Sequence, residues 1–204
     1  MDNASKQSRR SKNTVSSSRL NLPPTFMPWK VLHSEYLHQK PFLTVRRDHV
    51  QLEKGTEIEN YYVFESADFI NVIAITTEGQ MVLVRQYRHG LHRTDYELCA
   101  GYVDAGETDP METARRELLE ETGYGGGTWE KWDALSPNPA ITNNLSHTYL
   151  ATGVEKLQEP HYEAGEEMTV HIFSPEEVKS LLLKGEIIQA LHAAPLWKYF
   201  SVGC

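Results

Sequence analysis

The sequence predicts an α/β fold in which helices pack around a mixed β-sheet. Short apolar runs alternate with turn signals from Trp29 onward, which is typical of many short strands. Two segments carry the start signals of helices, and these segments fall among the strands in mixed order. The chain has 204 residues, of which 40% are hydrophobic, so it can form one domain with a sizeable core, or one such domain with a smaller appendage.

The N-terminal segment differs from the rest of the chain in its charge. Residues 3–34 contain six basic residues, no acidic residue and many serines. This composition predicts a disordered basic tail over residues 1–24, which ends at two consecutive prolines. An organelle transit peptide is the less favoured alternative, because the segment has no clear amphipathic periodicity.

The composition also argues against several kinds of partner. A formal net charge of −8 disfavours non-specific binding to nucleic acid. The two cysteines, Cys99 and Cys204, supply neither a disulfide framework nor a thiolate zinc site. No apolar run reaches the length of a membrane span. We therefore expect a cytoplasmic protein with no nucleic-acid and no membrane partner.

The strands are expected in the order in which turn signals divide the chain. Residues 25–70 are predicted to form an N-terminal strand region, and residues 71–204 the main domain. Residues 71–77 and 81–85 flank a Glu-Gly turn and are predicted to form a hairpin of buried strands. The other strands are expected at residues 42–46, 60–65, 98–103, 129–136, 147–152 and 168–173.

Two helices are indicated by their first residues. Asp109 is an N-cap acceptor followed by proline and then glutamate, which predicts a helix over residues 109–122. Ser174 begins the same pattern before a second helix. A last helical stretch is expected over residues 187–200, with an interruption at Pro195.

Three glutamates crowd one face of the first predicted helix. Glu117, Glu120 and Glu121 lie at i, i+3 and i+4, where like charges repel by roughly 0.2–0.5 kcal/mol per pair. A solvated acidic face is one interpretation. However, Gly101 and Gly106 bracket a loop directly before the helix and let the backbone approach a ligand. This combination predicts a site for Mg²⁺, which prefers oxygen ligands and accompanies phosphates.

The same residues resemble the motif of Nudix hydrolases, Gly-x5-Glu-x7-Arg-Glu-U-x-Glu-Glu-x-Gly-U, in which U is apolar. Gly101, Glu107 and residues 116–124 agree with its seven fixed positions. Eight residues separate Glu107 from Arg116, where the motif has seven. The extra residue falls before the helix, where added loop length is tolerated.

Residues outside the motif resemble the ADP-ribose pyrophosphatase branch of that family. Residues 84–88 and 96–101 are similar to its strand segments, with Cys99 in place of a proline. Pro139 lies close to the downstream proline of ADP-sugar hydrolases, and residues 163–167 resemble the acidic loop that carries the catalytic base.

This likeness covers roughly residues 29–194 and carries implications for the fold and the activity. It implies the Nudix α/β/α sandwich with an N-terminal antiparallel strand region that helps form a homodimer. It also implies hydrolysis of the pyrophosphate bond of a nucleoside diphosphate sugar, ADP-ribose before others. Mg²⁺ is the implied cofactor, with Mn²⁺ as an alternative.

The resemblance also assigns roles to individual residues. The implied metal ligands are the carbonyl of Ala100 and the carboxylates of Glu117, Glu120 and Glu121. The implied catalytic set is Glu166, Glu167, Arg116 and Glu120. In this set Arg116 orients the carboxylates through a salt bridge. Glu166 is the first candidate for the general base and Glu167 the second, and a solvated acidic loop is the competing interpretation.

Substrate contacts are expected from several separate segments. Arg85 and Arg88 are candidates to bind phosphates. Residues three apart on a strand point to opposite faces, so only one should face the site unless Arg88 lies in the following loop. Trp29 and Tyr36 are candidates to stack a base across the dimer, although aromatic residues more often fill a core. The substrate-binding set is completed by Glu97 and Pro139, and the supporting loop consists of Gly101, Gly106 and Glu107.

Two other functions compete with ADP-ribose hydrolysis. One is hydrolysis of another nucleotide sugar such as GDP-mannose, because substrate choice depends on loops and dimer contacts. The other is a non-catalytic sensor on a Nudix scaffold. The intact glutamate set favours an enzyme, and the basic tail has no helix-turn-helix pattern.

Overall fold

The computed structural model describes residues 27–40, 43–104, 106–162, 165 and 167–203. Within these residues, seven strands precede the first helix, four strands follow it, and two further helices come last and end at Val202. The predicted tail over residues 1–24 lies outside the described residues. None of the helices in the described part is long and apolar enough to cross a membrane.

A three-stranded antiparallel sheet comes first and corresponds to the predicted N-terminal strand region. Its strands are β1 (Lys30–Lys40), β2 (Leu43–Gln51) and β3 (Glu57–Glu65), in the order β1-β2-β3. This sheet is joined to the rest of the molecule through the loop after residue 138. The Phe64 amide donates to the Ile141 carbonyl at 2.7 Å, and the Ser66 amide donates to Asn143 Oδ1 at 3.1 Å.

The second sheet is mixed and forms the centre of the main domain. Its path is β11-β5-β4-β10-β8, with β6 paired to β5, β7 to β4 and β9 to β10. In this sheet β4 and β10 are parallel, and the other paired strands are antiparallel. These strands are β4 (Phe69–Thr76), β5 (Met81–Arg88), β6 (Arg93–Glu97), β7 (Cys99–Tyr102), β8 (Tyr124–Gly125), β9 (Thr128–Leu135), β10 (Ser146–Lys156) and β11 (Met168–Phe173).

Helices cover both faces of the mixed sheet, which confirms the predicted sandwich. The helices are α1 (Pro110–Thr122), α2 (Pro175–Lys184) and α3 (Ala190–Val202). Side chains of β4 alternate between two cores. Ile70 and Val72 pack with Leu118 of α1, while Ile73 packs on the other face with Val178 of α2 and Leu196 of α3.

The helix starts agree with the local sequence signals. Asp109 caps α1 by accepting from the Met111 amide, and Gly123 follows in the left-handed conformation. Ser174 and Glu177 form a complete capping box at α2. The expected interruption of the last helix is wrong, because α3 continues through Pro195.

Three strands are present where the sequence signals gave no prediction. They are β1, β6 and β8. β1 and β6 are rich in charged and polar residues, so they lack the apolar pattern of a buried strand. β8 has only two residues and pairs with the end of β10.

Candidate active site

One cavity of about 1040 Å³ opens between α1, the strands β4 to β7 and the start of α3. Its lining combines acidic, basic and apolar side chains. Glu117, Glu120 and Glu121 line it from α1, and Arg88 and Glu97 line it from β5 and β6. The elements that carry these residues are separate in sequence and meet only in the fold.

The glutamate wall is built by α1 against β7. Glu121 is buried, and its Oε2 accepts from the Ala100 amide at 3.2 Å. This bond brings the backbone of Ala100 next to the carboxylates. Burial raises the pKa of the neighbouring Cys99 thiol well above its usual value, and the charge of Glu121 adds to this effect. Cys99 is therefore a neutral, buried thiol and not a nucleophile.

Arg116 ties the carboxylates together. Its Nη1 lies 3.0 Å from Glu117 Oε1 and 2.8 Å from Glu120 Oε2, and its Nη2 lies 3.1 Å from Asp104 Oδ2. Partial burial lowers the pKa of Arg116, but its contacts with Glu120 and Glu117 outweigh burial and raise it overall. The positive charge relieves the repulsion between neighbouring carboxylates.

The loop before α1 depends on a glycine and a glutamate. A side chain at Gly101 would place its Cβ 2.5 Å from the Glu117 carboxylate, so glycine is required for this close approach. Glu107 accepts from the Asp104 amide at 3.3 Å and from the Thr113 hydroxyl. Gly106 has a φ of 103°, which suits glycine. Glu107 thus connects the loop to the first turn of α1.

Arg88 and Glu97 form a two-bond ion pair that lines the same cavity. Arg88 Nε donates to Glu97 Oε1 at 2.8 Å, and Nη2 donates to Oε2. Glu97 is almost fully buried, whereas 45% of the Arg88 side chain is exposed. The hydrogen bond with Glu97 raises the pKa of Arg88. The pair therefore presents a fixed cation to the cavity.

The strand β5 continues to Arg88, so the alternative that Arg88 lies in a loop is wrong. Arg85 points to the other face, as the three-residue spacing requires, and its guanidinium lies 5.3 Å from the centre of the Tyr96 ring. It lines a second recess together with Glu167, beside β11. Arg85 and Glu167 are not among the described residues that line the main cavity.

The other predicted residues lie further from the cavity or outside the described chain. Trp29 packs edge-to-face on Tyr61 at 5.6 Å, and Trp29 and Tyr36 are exposed on the N-terminal sheet. Pro139 lies in the exposed loop that contacts this sheet. Glu166 lies outside the described residues. The chain that leads towards it is held at the carboxylate wall, because the His161 amide donates to the Glu120 carbonyl at 2.7 Å.

Several cavity residues had no recognisable sequence signal. Asn71 of β4, Asp95 of β6 and His192 of α3 are buried in the lining. Asp95 and Glu97 are two residues apart on β6, so both side chains point to the same face. This spacing was the one sequence signal that could have indicated Asp95. Nothing in the local pattern indicated Asn71 or His192.

The donor chemistry fits a hard divalent cation. Three carboxylates and a nearby backbone carbonyl supply oxygen ligands, and Gly101 leaves the space that Glu117 needs. In the described part of the chain, however, no three acidic, imidazole or thiol groups converge on one point. Mg²⁺ commonly binds through one or two carboxylates, with waters and substrate phosphates completing its coordination.

Comparison with known proteins identifies the architecture that carries this cavity. A family model described as the NUDIX domain matches residues 67–192, more than half of the chain.

The chain belongs to the Nudix hydrolase family.

A second model, described as the nucleoside diphosphate sugar hydrolase N-terminal domain, matches residues 29–64 of this Nudix hydrolase. An ADP-ribose pyrophosphatase of Mycobacterium tuberculosis is 32% identical over 168 residues, which cover 81% of this chain and 80% of the relative. An ADP-ribose pyrophosphatase of Bacillus subtilis is 32% identical over 130 residues, which cover 64% and 69%.

A solved structure shares the fold at low sequence identity. The crystal structure of an ADP compounds hydrolase superposes with a TM-score of 0.77 at 18% identity, over 88% of this chain and 96% of that chain. The α/β/α sandwich and its N-terminal sheet are thus the fold of this Nudix hydrolase.

Proposed function

We propose that this Nudix hydrolase cleaves the pyrophosphate bond of a nucleoside diphosphate sugar, with ADP-ribose converted to AMP and ribose 5-phosphate. The observation that carries the proposal is that the glutamate wall and the Arg88–Glu97 pair line the same cavity. A divalent cation site in the same cavity as a fixed guanidinium suits two linked phosphates. The two pyrophosphatase relatives favour ADP-ribose as the first substrate to test.

Mg²⁺, or Mn²⁺ in its place, would be held by Glu117, Glu120, Glu121 and the carbonyl of Ala100. When bound, the cation would neutralise phosphate charge and favour attack by water. Arg116 would hold the carboxylates in position through its ion pairs. Gly101 would keep β7 close to α1, and Glu107 would secure the loop between them.

Arg88 would bind a phosphate oxygen, and Glu97 would keep its guanidinium in place. Water would add to one phosphorus, and the bond from that phosphorus to the bridging oxygen would break. A base must take the proton from this water. Glu166 remains our first candidate and Glu167 the second. The bond between the His161 amide and the Glu120 carbonyl supports this proposal, because it holds the chain before Glu166 and Glu167 beside the carboxylate wall.

The base of the nucleotide would bind outside the described cavity, between two subunits. Trp29 and Tyr36 are exposed aromatic side chains on the N-terminal sheet, and a second copy of this sheet would bring one of them over the base. Arg85 and Pro139 are retained as substrate contacts in such a homodimer. We place the enzyme in the cytoplasm and assign it no nucleic-acid or membrane partner.

The decisive experiment is a substrate panel with a matched variant. The purified enzyme would be incubated with Mg²⁺ and ADP-ribose, other ADP-sugars or GDP-mannose, and release of AMP or GMP measured. We expect AMP from ADP-ribose and a loss of at least about 100-fold in kcat for Glu121→Gln, since removal of a ligand costs several kcal/mol of charge stabilisation. Glu112→Gln is the control, because Glu112 is exposed on the same helix and pairs with Arg115.

The alternative outcomes are distinct. GMP release from GDP-mannose alone would retain the reaction and replace the substrate. Tight binding of a nucleotide sugar with no turnover of any would contradict the proposed activity. Equal activity of Glu121→Gln and the wild type would contradict the proposed role of the glutamate wall in binding the metal.

A further inference from the structure

The segment from Glu186 to the first turn of α3 lies beside the edge of β6 that is not paired with β5, and part of this segment lines the cavity. β6 pairs with β5 along one edge only. Amides two residues apart in extended chain point to the same edge, and Tyr96 of β6 and Leu98, which directly follows β6, are such a pair. The Tyr96 amide donates to the Glu186 carbonyl at 3.0 Å, and the Leu98 amide donates to His192 Nδ1 at 3.1 Å.

Pro195 leaves one backbone carbonyl in the first turn of α3 without its helical hydrogen bond. Proline has no amide hydrogen, so the carbonyl four residues earlier, that of Leu191, loses its helical partner. Asn71 Nδ2 donates to this carbonyl at 3.0 Å. The first turn of α3 is therefore bonded to β4 through Asn71 and to the end of β6 through His192.

The hydrogen bond to Leu98 determines the proton position on His192. A backbone amide can only donate, so Nδ1 must be the unprotonated nitrogen and the proton lies on Nε2. Nε2 is 3.9 Å from Glu97 Oε2, and both side chains are at most 3% exposed. The protonated edge of a neutral imidazole thus faces the carboxylate that holds Arg88.

We propose that His192 is a positioning residue for substrate binding, which fixes the junction of β6 and β7 and the Arg88–Glu97 pair through its two ring nitrogens. This inference rests on the proposed function of that pair in binding phosphate. Burial and geometry carry it: His192 is 2% exposed, lines the cavity, accepts a hydrogen bond from the Leu98 amide and directs Nε2 towards Glu97 Oε2 at the electrostatic distance of 3.9 Å.

Three variants distinguish the contributions of the two His192 ring nitrogens from a simple packing role. His192→Leu removes both polar contacts, His192→Asn keeps an acceptor close to the Nδ1 position, and Leu196→Ala opens a cavity in the same helix. Leu196 is fully buried and is not among the described residues that line the active-site cavity. It therefore controls for a general loss of stability in α3.

Steady-state kinetics with ADP-ribose provide the first measurement. We expect KM to rise about tenfold for His192→Leu, which is typical for loss of a residue that orients a ligand, while kcat changes less than about threefold. His192→Asn should lie between this variant and the wild type, and Leu196→Ala should keep the wild-type KM. In an Arg88→Lys background, His192→Leu should add little, because both changes act on one unit.

Nuclear magnetic resonance of the Arg88 Nε–H group provides a second measurement that needs no substrate. In the wild type, the hydrogen bond to Glu97 should protect this proton from exchange with water, and His192→Leu should reduce the protection while Leu196→Ala should not. Unchanged KM and protection in His192→Leu would overturn the inference, as would full additivity with Arg88→Lys. If the wild type hydrolyses no nucleotide sugar, the proposed function fails, while the protection of Arg88 still tests the positioning role.

Discussion

Gly101 is a point of close approach between β7 and the glutamate helix. A methyl group there would lie 2.5 Å from the Glu117 carboxylate, well inside van der Waals contact. The fixed glycine of the Nudix motif thus has a steric reason in this chain, since it permits a carboxylate to lie against the strand that carries the Ala100 carbonyl.

We predict that Gly101→Ala lowers activity at least about tenfold, because Glu117 must leave its position and a shift of this size disturbs a catalytic arrangement. Gly90→Ala is the control, since Gly90 lines the same cavity and a Cβ there meets nothing within 4 Å. Hydrolysis of ADP-ribose measures both. Equal activity of the two variants would contradict the steric explanation.

His192 should make the folded enzyme less stable as the pH falls. Burial lowers the pKa of His192 from 6.5 to about 4, with the nearby Glu97 raising it and Arg88 lowering it by smaller amounts. Between these pH values the unfolded chain binds the additional proton. The folded state therefore loses stability as the pH falls from about 6.5 to about 4, by up to about 3 kcal/mol.

Chemical denaturation at several pH values measures this loss. His192→Leu should weaken the decrease of the free energy of unfolding between pH 7 and pH 4.5. His89→Asn is the control, because His89 is exposed and should leave the decrease unchanged. An identical pH dependence in wild type and His192→Leu would show that His192 does not carry the effect.

Among the site residues, the sequence predicted those that act through a local pattern. Glu117, Glu120 and Glu121 line one cavity, as their helical spacing requires, and Arg116 forms the expected ion pairs. The choice between Arg85 and Arg88 was open, because strand periodicity says that the two differ in face but not which face is inside. His192 has no local sequence signal, because the partners of its side chain lie more than ninety positions away.

At the scale of elements, the helix caps secure α1 and α2 in the same way. The N-cap of α1 is Asp109, and that of α2 is Ser174 with its capping box. α1 carries the glutamate wall, whereas the described part of α2 contributes no side chain to the cavity. Removing each cap in turn therefore distinguishes the effect of helix stability from the effect of site geometry.

We predict that Asp109→Ala and Ser174→Ala each lower the free energy of unfolding by about 1 kcal/mol, which corresponds to about 2–4 °C in Tm. Only Asp109→Ala should also lower activity, because it loosens the first turn of the helix that carries the glutamates. Thermal unfolding and ADP-ribose hydrolysis measure the two effects. A comparable loss of activity in Ser174→Ala would indicate that stability alone controls turnover.

The elements that escaped prediction share a physical reason. β1 and β6 are edge strands in which polar and charged residues outnumber apolar ones, so neither has the apolar pattern of a buried strand. The sequence did not predict that α3 continues through Pro195. The Leu191 carbonyl, which loses its helical donor, accepts a hydrogen bond from Asn71 on a strand that is distant in sequence. Local propensity cannot anticipate a partner of this kind.

At the scale of the molecule, the N-terminal sheet exposes an unusual amount of apolar surface. β1 lies at the edge of this sheet and ten of its eleven residues are exposed. The exposed apolar side chains of the sheet are Val31, Leu32, Tyr36, Leu37, Leu43, Tyr62 and Phe64. Such a surface on a long edge strand is a ready interface, and we infer that a second copy covers it.

We predict that the enzyme is a dimer of 23.3 kDa chains in solution. Leu37→Lys should shift it to the monomer and lower activity, because the base-stacking residues of the proposed site would be separated. Leu183→Lys is the control, since Leu183 is 72% exposed on α2, away from the N-terminal sheet. Light scattering after size exclusion measures the mass. A monomeric wild type, or an unchanged dimer in Leu37→Lys, would contradict the interface.

The sequence by itself determined the features that repeat or cap over a few residues. These are the alternating strands of the mixed sheet, the two capped helices and the three glutamates that share one helical face. Tertiary structure alone decided that Arg88 faces the cavity, that Glu97 is buried behind it, and that His192 joins α3 to the end of β6. Periodicity fixes which side chains share a face of one element, whereas the partners of buried polar groups are fixed only when distant elements pack.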